Sequence, residues 1–214
     1  MATLVSLRGQ LRVDLHDVDA SAYRWSDGEL DRHLQHAGRE LSVALPRERK
    51  TTFIVGGGPT RNLDLASLTE RVRVYAVEYP VGEFPPIYLQ FQTWETTLTV
   101  LVDKLLENGE QVHVYWGSLH VLDEDTSTLP ALAEETLLLG AAGYAALEWA
   151  SFATNRANVA GVEAVDDYRT WGNARLNAFR EQLRAIGERN KVTTSRLYAP
   201  ADPSARGDVV QWEP

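Results

Sequence analysis

The stretch YRWSDGELDRHLQHAGRELSVALPRERKTTFIV, residues 23–55, changes its period at Pro46, and that change sets the fold class. Before the proline the pattern is helical. Ser26 followed by Glu29 predicts a capping box, in which the hydroxyl accepts from the Glu29 amide and the carboxylate reaches back to the Ser26 amide. Trp25 and Leu30 flank the cap as a hydrophobic staple. Leu30, Leu34, Ala37, Leu41 and Leu45 then recur at helical spacing, so one face is apolar, and Pro46 marks the stop. After it, residues 52–55 read as a strand. His33 and His36 sit three apart on this helix, a spacing at which two imidazoles can reach one metal ion. A metal site needs a third ligand and a partner for each ring; Asp31 points to another face, and no HExxH spacing occurs. Both histidines flank the apolar stripe, and a helix flank with no metal is the expectation.

Outward from this stretch, Leu4, Leu7, Leu11 and Leu15 predict an earlier helix over residues 4–16. The loop DVDASAYRW begins with the alternating oxygens of a calcium loop at Asp17, Asp19 and Ser21. Ala22 stands where the sharp turn wants glycine and Gly28 where a bidentate glutamate belongs, so Asp19 and Ser21 read as turn formers. On the C-terminal side, residues 52–55, 61–65, 72–77, 87–91, 97–102 and 112–116 alternate as short strands. GGGP at 56–59 lacks the lysine of a phosphate loop and reads as a hairpin tip. EYPVGEFPP (78–86) and ENGE (107–110) read as connections.

Helical period returns after Ser127 or Thr128, either of which can cap, with Pro130 in the first turn and Glu134 and Glu135 at the positive end of the dipole. GAAGYAALEWA within that helix is apolar on most sides, which predicts a central position to about residue 155. Tyr168, Leu176, Phe179, Leu183 and Ile186 predict a last helix over 165–189. The remainder, 191–214, holds three prolines and apolar clumps and reads as an extended arm. The fold class is therefore α+β: a four-helix-type bundle (1–48 and 128–190) with an inserted antiparallel β-rich domain (49–127) and an extended C-terminal arm (191–214).

Composition narrows the chemistry. The 214 residues contain no cysteine, which excludes disulfides, thiolate metal sites and a cysteine nucleophile. The N-terminus has arginines at 8 and 12 and no signal-peptide core, and no apolar run reaches the ~20 residues of a membrane span, so a soluble protein made in the cytoplasm is expected. The net charge of −9 argues against a broad nucleic-acid grip, yet residues 169–206 carry eight Lys/Arg against three acids. No GxSxG, Walker, GxGxxG or kinase motif occurs. The acids of DEDTS (123–127) read as solvated, His113 and His120 as packed or surface residues, and Trp94, Tyr115 and Trp116 as sheet packing rather than a sugar or base platform.

The segments LRVDLHDVDASAYRWSDGELDRHLQHAGRELS (11–42), RVRVYAVEYPVG (71–82), VHVYWGSLHVLDEDTSTLP (112–130) and AAGYAALEWASFATNR (141–156) resemble the head-to-tail adaptor proteins of tailed bacteriophages. The resemblance spans most of residues 4–198. It implies a non-enzymatic virion protein at the head-tail interface, without cofactors, built as a helical bundle with a β-rich insertion. Such a protein forms a homo-oligomeric ring, a dodecamer, below the portal protein, extends the DNA channel and docks the next neck or tail protein. DNA passes without sequence-specific binding, and no membrane is involved. The resemblance implies that the C-terminal arm engages the portal; within that arm the apolar Leu197, Tyr198 and Trp212, in a segment too short to bury them, and the basic Arg196 and Arg206 are the expected docking residues. The alternatives are a tail-completion or terminator protein and, remotely, a metal-dependent hydrolase using His33 and His36.

Overall fold

The computed structural model describes residues 2–154 and 162–196, with side chains for 2–153 and 166–190. The chain divides into two compact units, a helical one made of Met1–Arg47 and Leu119–Arg189, and a β-rich one whose body is Glu48–Ser118. The fold is α+β, with antiparallel strand pairing.

In the helical unit, α1 (Leu4–Asp14), α2 (Asp27–Ala44), α3 (Ala131–Thr154) and α4 (Val162–Arg196) share one core. Leu7, Leu11, Leu30, Leu34, Ala37 and Leu41 are buried on α1 and α2, as their spacing requires. The capping box of α2 is complete: Glu29 N–H donates to Ser26 Oγ at 3.3 Å, and Ser26 N–H donates to Glu29 Oε2 at 2.7 Å. Trp25 and Leu30 are both buried beside it. Ser26→Ala removes the capping oxygen and will lower stability by about 1 kcal/mol, measurable as a reduced melting temperature.

α3 is central because its small residues admit α4 at close range. A Cβ added at Gly143 would stand 3.1 Å from the Gly172 carbonyl, and one at Gly140 would meet the Phe179 ring at 2.8 Å. Neither Ser127 nor Thr128 caps α3. The Ser127 hydroxyl accepts from Leu129 N–H and the Thr128 hydroxyl from Val121 N–H, so both organise the turn before the helix. Residues 119–127 also belong to the helical unit rather than to the insertion. Leu4 N–H donates to the Asp123 carbonyl, His120 N–H to Ser42 Oγ, and a His120 ring nitrogen lies 2.9 Å from the Leu45 carbonyl. α4 continues beyond residue 189 to Arg196, since NKVTTSR contains neither glycine nor proline to stop it. The arm as delimited from the sequence therefore begins inside a helix.

In the β unit, β1 (Arg47–Ile54), β7 (Gln111–Ser118), β3 (Arg71–Glu78) and β4 (Tyr88–Leu89) form one sheet in that order. β2 (Asn62–Asp64), β6 (Thr97–Val100) and β5 (Phe91–Trp94) form another. Alternate residues of both enter one core: Val112, Val114 and Trp116 from β7, Leu98 and Val100 from β6, Leu63 from β2. Two expectations change. GGGP is no hairpin tip, because β1 and β2 lie in different sheets and the glycines carry the chain between them, Gly57 and Gly58 at φ 79 and 113. The expected strand 87–91 is two strands, β4 pairing with β3 and β5 with β6; the switch falls at Gln90, whose carbonyl accepts from Leu101 N–H. ENGE is the tight turn expected, with Gly109 at φ 86.

Candidate functional site

His33 and His36 leave α2 toward α3 but do not converge. His33 is buried, and its Nε2 lies 2.5 Å from Glu148 Oε2, near enough for an ion pair but not aligned as a hydrogen bond. Burial pushes its pKa below the ordinary value, with Glu148 opposing. The exposed His36 faces another acid, Nε2 being 3.0 Å from Glu40 Oε1, with its ring 4.4 Å from that of Tyr144. Tyr144 also donates its hydroxyl to Glu40, and burial followed by that carboxylate raises the phenol to about 12. Arg32 holds the second oxygen of Glu148 at 2.5 Å. Each imidazole thus has its own carboxylate. Among the described residues, no three His, Cys, Asp or Glu side chains are placed to hold a metal ion.

A buried charge cluster lies at the other end of α2. Arg12 Nη1 is 2.6 Å from Asp17 Oδ2, and its Nη2 donates to Asp27 Oδ1 at 2.6 Å and to the Trp25 carbonyl at 3.0 Å. The guanidinium also lies 3.6 Å from the centre of the Tyr23 ring. The Arg12 hydrogen bond holds the Asp27 carboxyl below its usual range. Asp17 accepts from Arg24 N–H as well, so its oxygens organise the loop. Asp19 accepts from Ser21 N–H at 2.9 Å, the turn its sequence implied.

The β unit holds a second buried carboxylate. Glu78 Oε2 accepts from the Tyr115 hydroxyl at 2.5 Å and lies 3.2 Å from His113 Nδ1. Burial opposes its charge, but bonds from Tyr115, His113 and the Gly82 N–H outweigh that and keep the carboxyl below its usual range. Trp116 is in the core, with its indole N–H on Thr51 Oγ1. Trp94 is not sheet packing: it is 81% exposed at the end of β5. Phe84, in the loop after β3, is 95% exposed. Trp94, Tyr115 and Trp116 form no common platform, since Trp94 belongs to one sheet and the other two are successive residues of a strand in the other.

Of the residues expected from the sequence to dock on a portal, Arg196 is the last residue of α4, and Leu197, Tyr198, Arg206 and Trp212 lie outside the described residues. A feature without a sequence signal is a recess of about 320 Å³ between the end of α1 and the first third of α4. It is lined by Asp14, Leu15, His16, Asp167, Tyr168 and Trp171, which come from distant parts of the chain. No helix among the described residues is long and apolar enough to cross a membrane.

No family model matches this chain, and no curated protein matches it. Seven solved chains match. One, from "Neck of empty GTA particle computed with C6 symmetry", is similar at 15% identity and a TM-score of 0.29, over 64% of this chain and 76% of that one.

Proposed function

We propose that this chain is a structural, non-enzymatic protein of a phage-type virion, a head-to-tail adaptor whose copies form a dodecameric ring below a portal protein and continue its DNA channel. The observation that carries the reading is an agreement of order. The four segments that resemble adaptors fall on the α1–α2 pair, on β3, on β7 with the turn before α3, and on α3. A helical bundle with a β-rich insertion is also the architecture that the resemblance implies, and the chain has two helices on each side of its strands. The net charge of −9 suits a conduit, because an acidic wall repels phosphate and lets duplex slide without being held.

In this reading the segment after α4 engages the portal. Leu197, Tyr198, Val209, Val210 and Trp212 are apolar, and Arg196 and Arg206 steer them toward an acidic groove. Truncation after Arg196, the last described residue of α4, tests this. The truncated chain is expected to keep the full-length melting temperature and to lose sedimentation with portal-containing, tailless heads. Unchanged binding to those heads would move the contact to the helical unit. A ring that caps tail tubes instead of heads would favour the terminator reading.

A further inference from the structure

The 35-residue α4 is polarised along its length. Its first eleven residues, 162–172, carry Glu163, Asp166 and Asp167 against Arg169, whereas 173–196 carry six Arg/Lys against two glutamates. The acidic end borders the recess described above, and there two carboxylates stand beside two aromatic rings. Asp14 and Asp167 are exposed and make no hydrogen bond or ion pair among the described residues, while the neighbouring Asp166 pairs with Arg169 at 3.4 Å. Tyr168 and Trp171 each accept a guanidinium within this chain: Arg24 donates to the Tyr168 hydroxyl, and Arg175 lies 4.9 Å from the centre of the Trp171 ring. Carboxylate rims and aromatic walls are the chemistry that receives an arginine side chain.

We propose that this recess is the receptor for an arginine from the basic half of α4 in a second copy of the chain, so that copies join acidic end to basic end. Arg184 is the arginine the geometry favours. It is exposed, makes no hydrogen bond or ion pair among the described residues, and stands about 26 Å along the helix from Asp167 at 1.5 Å per residue, too far to fill its own recess. The two surfaces are different patches of one molecule, so the contact is heterologous and closes into a ring when the rotation between copies divides a full turn. The inference rests on the ring reading above and names the residues that make its subunit contact.

Sedimentation of the full chain at low salt tests it, with melting temperatures as the folding control. Asp167→Arg and Arg184→Glu, on opposite patches, are each expected to weaken self-association at least about tenfold while melting like the wild type. The charge exchange Asp167→Arg with Arg184→Asp is expected to restore it. Variants that associate as the wild type does overturn this contact and leave the ring reading standing. A wild-type chain that stays monomeric at every concentration, alone and on heads, overturns both. Should Asp167→Arg not fold, Arg184→Glu with an unchanged assembly is by itself sufficient to overturn the contact.

Discussion

Arg12→Met will lower the unfolding free energy by about 3–5 kcal/mol, the range for breaking a buried ion pair from one side. Arg12 and Asp17 are both buried, so neither finds bulk water when the other is removed. Methionine fills much of the space of the arginine stem but supplies no donor. The Asp17 carboxylate would keep only backbone N–H groups, from Arg24 at 2.7 Å and Trp25 at 3.5 Å, and the Trp25 carbonyl would lose its guanidinium donor. Trp25 fixes the entry of α2, so the damage spreads to that helix start. Urea denaturation gives the number. The double variant Arg12→Met, Asp17→Asn should recover part of the loss, because an amide carries no charge to strand. A loss below about 1 kcal/mol would mean that water reaches Asp17 and that the cluster is not sealed.

Phe179→Ala will cost a similar amount, about 3–5 kcal/mol, by opening a cavity between α3 and α4. The ring is fully buried and rests on Gly140, at which an added Cβ would come within 2.8 Å of it. That contact makes the pair testable as a unit. Gly140→Ala alone gains helix propensity but must push the ring away, and overpacking of that kind costs about 1–3 kcal/mol. In a Phe179→Leu background the smaller side chain leaves room, and the same Gly140→Ala change should become nearly neutral. Equal costs in both backgrounds would show that the ring moves freely and that Gly140 is not its seat.

Both predictions concern features that the sequence disclosed unequally. The start and apolar face of α2 were legible because capping and helical period are local, and Ser26, Glu29 and Leu30 lie within one turn. GAAGYAALEWA disclosed a central helix, but the Phe179 ring that rests on Gly140 comes from another helix. Arg12 and Asp17 were opaque. An arginine among leucines reads as a surface charge, and Asp17 drew notice only as a calcium ligand that failed. Their meeting depends on a loop whose path no periodicity encodes. Strand existence was legible and strand partnership was not: 87–91 alternates without a break, yet Tyr88 and Leu89 pair in one sheet and Phe91 in the other. The recess beside Tyr168 joins the end of α1 to α4, and no window along the sequence contains both.

The sheet order has a genetic consequence. β1 and β7, the first and last strands of the β unit, are direct neighbours. Val55, just past the end of β1, exchanges backbone bonds with the turn that leads into β7, donating to the Glu110 carbonyl and accepting from Gly109 N–H. The opposite ends, where Glu48 enters and Ser118 leaves, are thereby brought side by side. A helical framework that hosts such an element closes over a short gap, whatever the length of chain spent inside it, and longer excursions add little further closure entropy. Recombination can therefore enlarge, trade or delete the module at that single junction without rethreading the helices that carry it.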